Sequence, residues 1–209
     1  MSMSELYNRY PSLNECREDI ENALNLFIEV YKCGGKIMVC GNGGSCSDSE
    51  HIVGELMKGF MLKRPVDKAF EEKLRELGYE DAEYMRENLQ GALPAISLPS
   101  QTAILSAFIN DVSPEMMYAQ LVFGYAAKGD LLVCVSTSGN SKNAVYAAKV
   151  AKAKGIKVLS LTGRNESKLS DISDVTVRVP ECETYKVQEL HLPVYHYLCA
   201  MTEKRFFNE

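Results

Sequence analysis

Residues 36–55, KIMVCGNGGSCSDSEHIVGE, decide how the rest of the chain is understood. Ile37-Met38-Val39-Cys40 is a short apolar run of the length and character of a strand buried on both faces. Gly41-Asn42-Gly43-Gly44-Ser45 follows, and the missing Cβ atoms let this backbone coil tightly and approach a ligand. The pattern predicts a helix from about Ser47, on which His51 and Glu55 are four residues apart and share one face. A strand, a glycine turn and a helix bearing His and Glu together point to a small-molecule site. Glycine turns also join strands to helices where nothing binds, so the stretch needs support from elsewhere. It is not a dinucleotide fingerprint: G-x-G-x-x-G would require glycine at Cys46, and no acid closes the next strand, Ala95–Pro99. No Gly-Lys-Ser/Thr follows for a nucleotide loop, which argues against NAD and ATP.

Outward from this stretch, strands alternate with helices. Ser12-x-x-Glu15 has the form of a capping box opening a long helix, with Leu13, Cys16, Ile20, Leu24, Phe27 and Tyr31 as its apolar stripe and Gly34-Gly35 as its end. A helix of that length ahead of the first strand, within residues 1–35, is a candidate for packing on another subunit. Further strands are expected at Leu93–Leu98, Leu131–Val135, Lys157–Leu161 and Val175–Val179. Helices are expected at Gln101–Asn110, after the Ser113-Pro114-Glu115 start signal, and from near Lys142. This alternation implies an α/β three-layer sandwich: right-handed crossovers and one parallel sheet with ligands beyond its carboxyl edge. Residues 62–90 differ, with charges crowded at Lys63-Arg64, Asp67-Lys68, Glu71-Glu72-Lys73, Arg75-Glu76 and Glu80-Asp81. They form a charged helical insert, closed midway by Gly78, with the character of a solvated flap or a lid.

The 209 residues are most simply a single domain, 1–209, and the net charge of −5 leaves no electrostatic footprint for nucleic acid. No apolar run is long enough for a membrane span, and MSMSELYNRY lacks the apolar core of a signal peptide. The seven cysteines are scattered without a CxxC pair, and Cys40 and Cys134 fall inside expected strands. They suit a reducing compartment, so a cytoplasmic location is expected.

Two more stretches carry chemistry. Ser136-Thr137-Ser138-Gly139-Asn140-Ser141 ends the third strand and runs into a helix, so its hydroxyls gather at free N–H groups and the positive end of a helix dipole. One serine would suffice as a cap; four hydroxyls without a strong base suit a phosphate on a sugar. The C-terminal helix carries Gln188 and His196, eight residues apart and about 80° around an ideal helix, with Pro193 between them to kink it or mark its true start. With His51 and Glu55 they offer nitrogen and oxygen donors suited to zinc or a similar divalent ion.

On CGNGGS (40–45), HIVGEL (51–56), Asn110-Asp111, STSGNS (136–141), LTG (161–163) and QELHLPVYH (188–196), the chain resembles the sugar isomerase (SIS) domain family, and within it the bacterial phosphoheptose isomerases. The resemblance covers nearly the whole chain outside the insert. It implies a five-stranded parallel flavodoxin-like sheet, a homotetramer with sites at subunit interfaces, and Zn2+ or another divalent transition metal. The implied reaction is isomerisation of sedoheptulose 7-phosphate to D-glycero-D-manno-heptose 7-phosphate. Carried across, Ser45, Ser136, Thr137, Ser138 and Ser141 would hold the phosphate. Asn42, Gly43, Gly44, Asp111 and Gln188 would contact the sugar, and His51, Glu55, Gln188 and His196 the metal. Glu55 would be the base and His196 the acid.

The chain departs from the family pattern where an arginine usually follows the glutamate by four residues; Gly59 stands there with Lys58 beside it. Tyr185 replaces an aspartate three residues before the glutamine, and Pro193 and the long insert are also unusual for the family. All lie near where distal sugar hydroxyls would be read. Competing readings are a non-catalytic SIS scaffold that binds a replication-initiator protein, against which His196 argues, and a sugar-phosphate-sensing regulatory module, against which the lack of a DNA-binding segment argues.

Overall fold

A computed structural model describes residues 3–207 of the chain. Five parallel strands, β1 (Ile37–Gly41), β2 (Ala95–Ser97), β3 (Leu131–Val135), β4 (Lys157–Thr162) and β5 (Val175–Arg178), form one sheet in the order β2-β1-β3-β4-β5. Chain order reverses between β1 and β3, whose registers run Ile37–Leu131 to Gly41–Val135. The apolar runs are continuous because both faces are covered, and period-two alternation sorts them. Ile37, Val39, Leu131, Val133, Val135, Leu159 and Leu161 point into one core; Met38, Cys40, Leu132, Cys134 and Val158 point into the other. This is the expected three-layer sandwich.

The first core is closed by α1 (Met3–Arg9), α2 (Arg17–Lys32), α3 (Gly44–Met57) and the long α10 (Thr184–Phe207). The second is closed by α7 (Met117–Tyr125), α8 (Lys142–Ala153) and α9 (Lys168–Ile172). The other helices are α4 (Lys68–Glu76) and α5 (Ala82–Asn88) in the insert, and α6 (Thr102–Asp111). No helix among the described residues is long and apolar enough to cross a membrane.

Several boundaries differ from expectation. The 1–35 region is two helices joined by a 3-10 turn over Pro11–Cys16, and α2 begins at Arg17 with Cys16 as an N-cap whose side chain does not cap the helix. The Ser12/Glu15 box does not form, because proline starts a tighter turn that buries Leu13 and Cys16. Helix α3 starts at Gly44, earlier than Ser47, because Gly43 at φ 57° turns the chain sharply enough for the helix to follow at once. Pro193 neither starts nor ends α10, which runs through it from Thr184, and the ring is buried. Ser113-Pro114 opens a 3-10 turn before α7.

The insert is helical as expected, with Gly78 at φ 84° between its halves and no buried residue on α4. Its charged character misleads at one position. Arg64 is fully buried and paired with Glu203 of α10, Nε to Oε1 at 2.9 Å. Glu203 also accepts from the backbone N–H groups of Phe60 (2.8 Å), Met61 (2.7 Å) and Leu62 (3.1 Å). Arg64 donates to the carbonyls of Leu56 (2.6 Å) and Glu55 (3.0 Å), the last turn of α3, and lies 4.7 Å from the Phe207 ring centroid. A cation at a helix C-terminus satisfies orphan carbonyls and opposes the dipole. The pair thus fastens α3, the loop after it and α10 to one another.

His191, the third histidine, is a core residue: its ring is fully buried, with Nε2 donating to the Thr162 carbonyl at 3.2 Å. Burial pushes its pKa down to about 4, against a partial offset from that carbonyl.

Two outcomes follow. Glu203→Ala strips Arg64 and three backbone donors of their acceptor and should cost about 3–5 kcal/mol in urea unfolding at fixed protein concentration. Because folded His191 resists protonation, the unfolded chain binds the extra proton below the usual 6.5. Stability should therefore fall as pH drops from 6.5 towards 4, by about 3 kcal/mol from this group, and His191→Gln should flatten that slope.

Candidate active site

The loops after β1, β3 and β4 meet at the carboxyl edge of the sheet. Ser136 N–H donates to the Leu161 carbonyl at 3.0 Å and Gly163 N–H to that of Thr137 at 3.0 Å, tying the β3 and β4 loops together. Within the β3 loop, Ser136 and Ser141 hydroxyls lie 3.3 Å apart, and Ser138 Oγ accepts from Asn140 N–H at 3.2 Å. Ser141 occupies the N-cap of α8 without using its hydroxyl as a cap. Gly139 at φ 63° has no room for a side chain, since a Cβ would collide with Ser167. The expected hydroxyl cluster therefore stands at a helix N-terminus, with the Ser141 hydroxyl accepting from Ser136 and its own proton still available.

The β1 loop joins it through a pair that sequence reading missed. Asn42 and Asn143 exchange both amide bonds at 2.9 Å. Tyr118 Oη donates to the Gly41 carbonyl at 2.7 Å and lies 3.3 Å from Asn42 Oδ1. Asn143 follows STSGNS by two residues on α8, so it belongs to the same motif read two positions further; nothing in the sequence marks Tyr118. Ser45 is buried in the first turn of α3. A Cβ on Gly44 would lie 2.5 Å from Gln188 Nε2, so the glycine gives the α10 amide its place against the turn. Gly43 turns the chain into α3.

Helices α3 and α10 bring the two remote histidines together. His51 Nε2 lies 3.3 Å from His196 Nε2 and 3.2 Å from Glu55 Oε1. Glu55 Oε2 is buried without a hydrogen bond, with Lys58 Nζ 3.6 Å away at ion-pair range only. The Phe60 ring, in the loop that Glu203 holds, lies 5.5 Å from the His196 ring centre to centre. Burial, then the His51 charge, pushes the His196 pKa below the usual imidazole range, with Glu55 pulling the other way. Behind His51, Tyr195 Oη lies 3.1 Å from Nδ1 and 3.2 Å from Asp48 Oδ1. Neither residue was singled out from the sequence, although Asp48 precedes His51 by three on one helix face and Tyr195 adjoins His196.

Asp111 is exposed at the end of α6, where Oδ1 accepts from Asn110 at 2.7 Å; it bonds to no other candidate residue. Tyr185 is exposed. Gly59 donates its N–H to Gln90 Oε1 at 2.7 Å, and a Cβ there would stand 2.7 Å from the Leu62 carbonyl, which accounts for glycine in the arginine position.

The donor chemistry suits a divalent ion. Two imidazole nitrogens and a carboxylate oxygen face one another with no obligatory proton between them, at 3.2 and 3.3 Å, about the separation of two donors on a tetrahedral zinc with bonds of roughly 2.0–2.1 Å. As placed, they are paired through His51: among the described residues no group of three or more His, Cys, Asp or Glu is arranged to hold a metal ion. Glu55 Oε2 has no hydrogen bond to lose on turning towards an ion.

Two SIS domain models match, over residues 92–201 and 10–85. The chain is 35% identical over 198 residues to the phosphoheptose isomerase of Helicobacter pylori, covering 95% of this chain and 90% of that one. It is 32% identical over 200 residues to that of Akkermansia muciniphila, covering 96% and 92%. The structure of phosphoheptose isomerase GmhA from Neisseria gonorrhoeae superposes with a TM-score of 0.74 at 27% identity, over 96% of each chain. With the parallel sheet, the serine loop and the paired histidines already in place, these matches make the chain a member of the SIS domain family, in its phosphoheptose isomerase branch.

Proposed function

We propose that the protein is an aldose–ketose isomerase of sugar phosphates, converting sedoheptulose 7-phosphate to D-glycero-D-manno-heptose 7-phosphate through an enediolate. The observation that carries this is the meeting of His51, Glu55 and His196 from two distant helices. A non-catalytic scaffold has no use for it. Moving a carbonyl between C1 and C2 requires taking a carbon-bound proton, returning it to the neighbouring carbon, and exchanging protons with both oxygens.

Glu55 is the base. Its Oε2 carries no hydrogen bond, so nothing donated by the protein competes for the arriving proton. His196 serves the substrate oxygens; its lowered pKa keeps it neutral near pH 7, with one ring N–H to give and one bare nitrogen to take a proton or hold the metal. Ser45, Ser136, Thr137, Ser138 and Ser141 hold the phosphate at the N-terminus of α8, and the Asn42–Asn143 pair fixes the amide presented to the sugar. Gly43, Gly44, Gln188 and Asp111 complete the sugar contacts.

The metal held by His51, Glu55, Gln188 and His196, zinc or a similar divalent ion, would when bound polarise the carbonyl and the oxygen beside it. Gln188 stands against Gly44 at the start of the helix that carries His51 and Glu55, and the two Glu55 oxygens divide the roles, Oε1 towards His51 and Oε2 free as base. The working assembly is a homotetramer in the cytoplasm. Uncovered Val112 at the end of α6 and Phe123 on α7, and cysteines that are all free among the described residues, support that reading.

Incubating the purified protein with sedoheptulose 7-phosphate, with and without a chelator, should give turnover that the chelator abolishes. Glu55→Gln should keep phosphate binding and lose about 10²–10⁴-fold in kcat. A parent protein that fails to turn over the sugar phosphate after zinc loading overturns the proposal.

A further inference from the structure

Behind the paired histidines lies a second layer that the proposed reaction does not use directly: Asp48, Tyr195 and the Nδ1 side of His51. We propose that Tyr195 is a positioning residue. Held by Asp48, its hydroxyl oxygen accepts a hydrogen bond from His51 Nδ1–H and so leaves the bare Nε2 lone pair facing Glu55 and His196. The proposal concerns this chain's own hydrogen bonds, and only its use in catalysis rests on the isomerase reading.

The argument is a count of protons. The Tyr195 hydroxyl has one, with Asp48 Oδ1 at 3.2 Å and His51 Nδ1 at 3.1 Å. Were it given to Nδ1, two oxygens would face each other at 3.2 Å with nothing between them. Asp48 would then have no donor at all, because its Oδ2 is buried without a hydrogen bond. The proton therefore goes to Asp48, and the phenol oxygen accepts from Nδ1–H. The same count leaves His51 Nε2 bare 3.2 Å from Glu55 Oε1, the arrangement that two donors to one cation require, while Lys58 Nζ, 3.6 Å from Oε2, offsets the carboxylate charge. With His51 Nε2 bare, the contact to His196 at 3.3 Å closes as a hydrogen bond donated by His196.

The rings add a steric lock. Tyr195 is buried and packs edge-on against both His51 and His196, with centroids 5.4 and 5.1 Å away. A ring clamped in this way cannot swing to serve Nδ1 from another angle. A histidine whose far nitrogen is tied to a hydroxyl and carboxylate is a better electron-pair donor at the near one, and loss of such a partner typically costs about 10–100-fold in cation affinity.

Tyr195→Phe removes the hydroxyl and keeps the ring, so the packing survives. Two readouts decide the matter. In metal-free protein, at a pH above the imidazole range, histidine 15N spectra should show His51 with its proton on Nδ1, and Tyr195→Phe should shift it towards Nε2. With zinc alone, measured by chelator competition, Tyr195→Phe should bind about 10–100-fold more weakly, and Asp48→Asn should weaken binding in the same direction. A parent His51 protonated at Nε2, or zinc binding unchanged in Tyr195→Phe, overturns the proposal. Should the parent show the Nδ1 tautomer and bind no zinc, the metal reading fails while the positioning role stands.

Discussion

One buried ion pair, Arg64–Glu203, joins three pieces of chain beside the site: the end of α3, the loop after it and α10. Glu203 gathers the N–H groups of residues 60–62, and Arg64 takes the final carbonyls of the helix that carries Glu55. Isolated, either charge would be expensive inside the protein; together, with the remaining valences filled by backbone, the pair becomes a joint. Its output is local and chemical. The Glu55 carbonyl is fixed from one side, and Phe60 is set against His196 from the other. A hydrophobic substitute could fill the same volume, but it could not satisfy three amides and two carbonyls at once.

Most of the architecture is legible in the chain because the physics is short-range. The four- to six-residue apolar runs define the strands to within a residue or two, and alternation along them already separates the two cores. The glycine turn and the serine loop are visible because each is a local deviation with a backbone reason. The joint is invisible for the opposite reason. Arg64 sits in a charged stretch where every neighbouring basic group is solvated, and Glu203 lies 139 positions away. Only the tertiary arrangement distinguishes it from Lys63.

The same division runs through the site. His51, Glu55, Gln188 and His196 could be named from type and spacing. That the two histidines lie within 3.3 Å is a fact about helix packing, which spacing on either helix alone does not contain. Asp48, Tyr195 and Asn143 were within reach of a more patient reading, since each sits on a helix face or motif already marked. Asp111 shows the converse, a residue named from its motif that the fold leaves exposed and bonded only to Asn110. Pro193 shows how propensity yields to context: a residue that normally interrupts a helix is absorbed in the middle of α10, in a fully packed environment.

The excursion from residue 66 to 89 leaves and rejoins the body of the protein at one point. A single antiparallel bridge between Pro65 and Gln90 and the bond from Gly91 N–H to the Arg64 carbonyl, 2.8 Å, bring its two ends side by side. A loop pinched shut at its base is geometrically equivalent to a short turn, as far as everything beneath it is concerned. Its length and sequence are therefore uncoupled from the sheet, and such a segment can be gained, trimmed or exchanged between relatives without disturbing the chemistry next door.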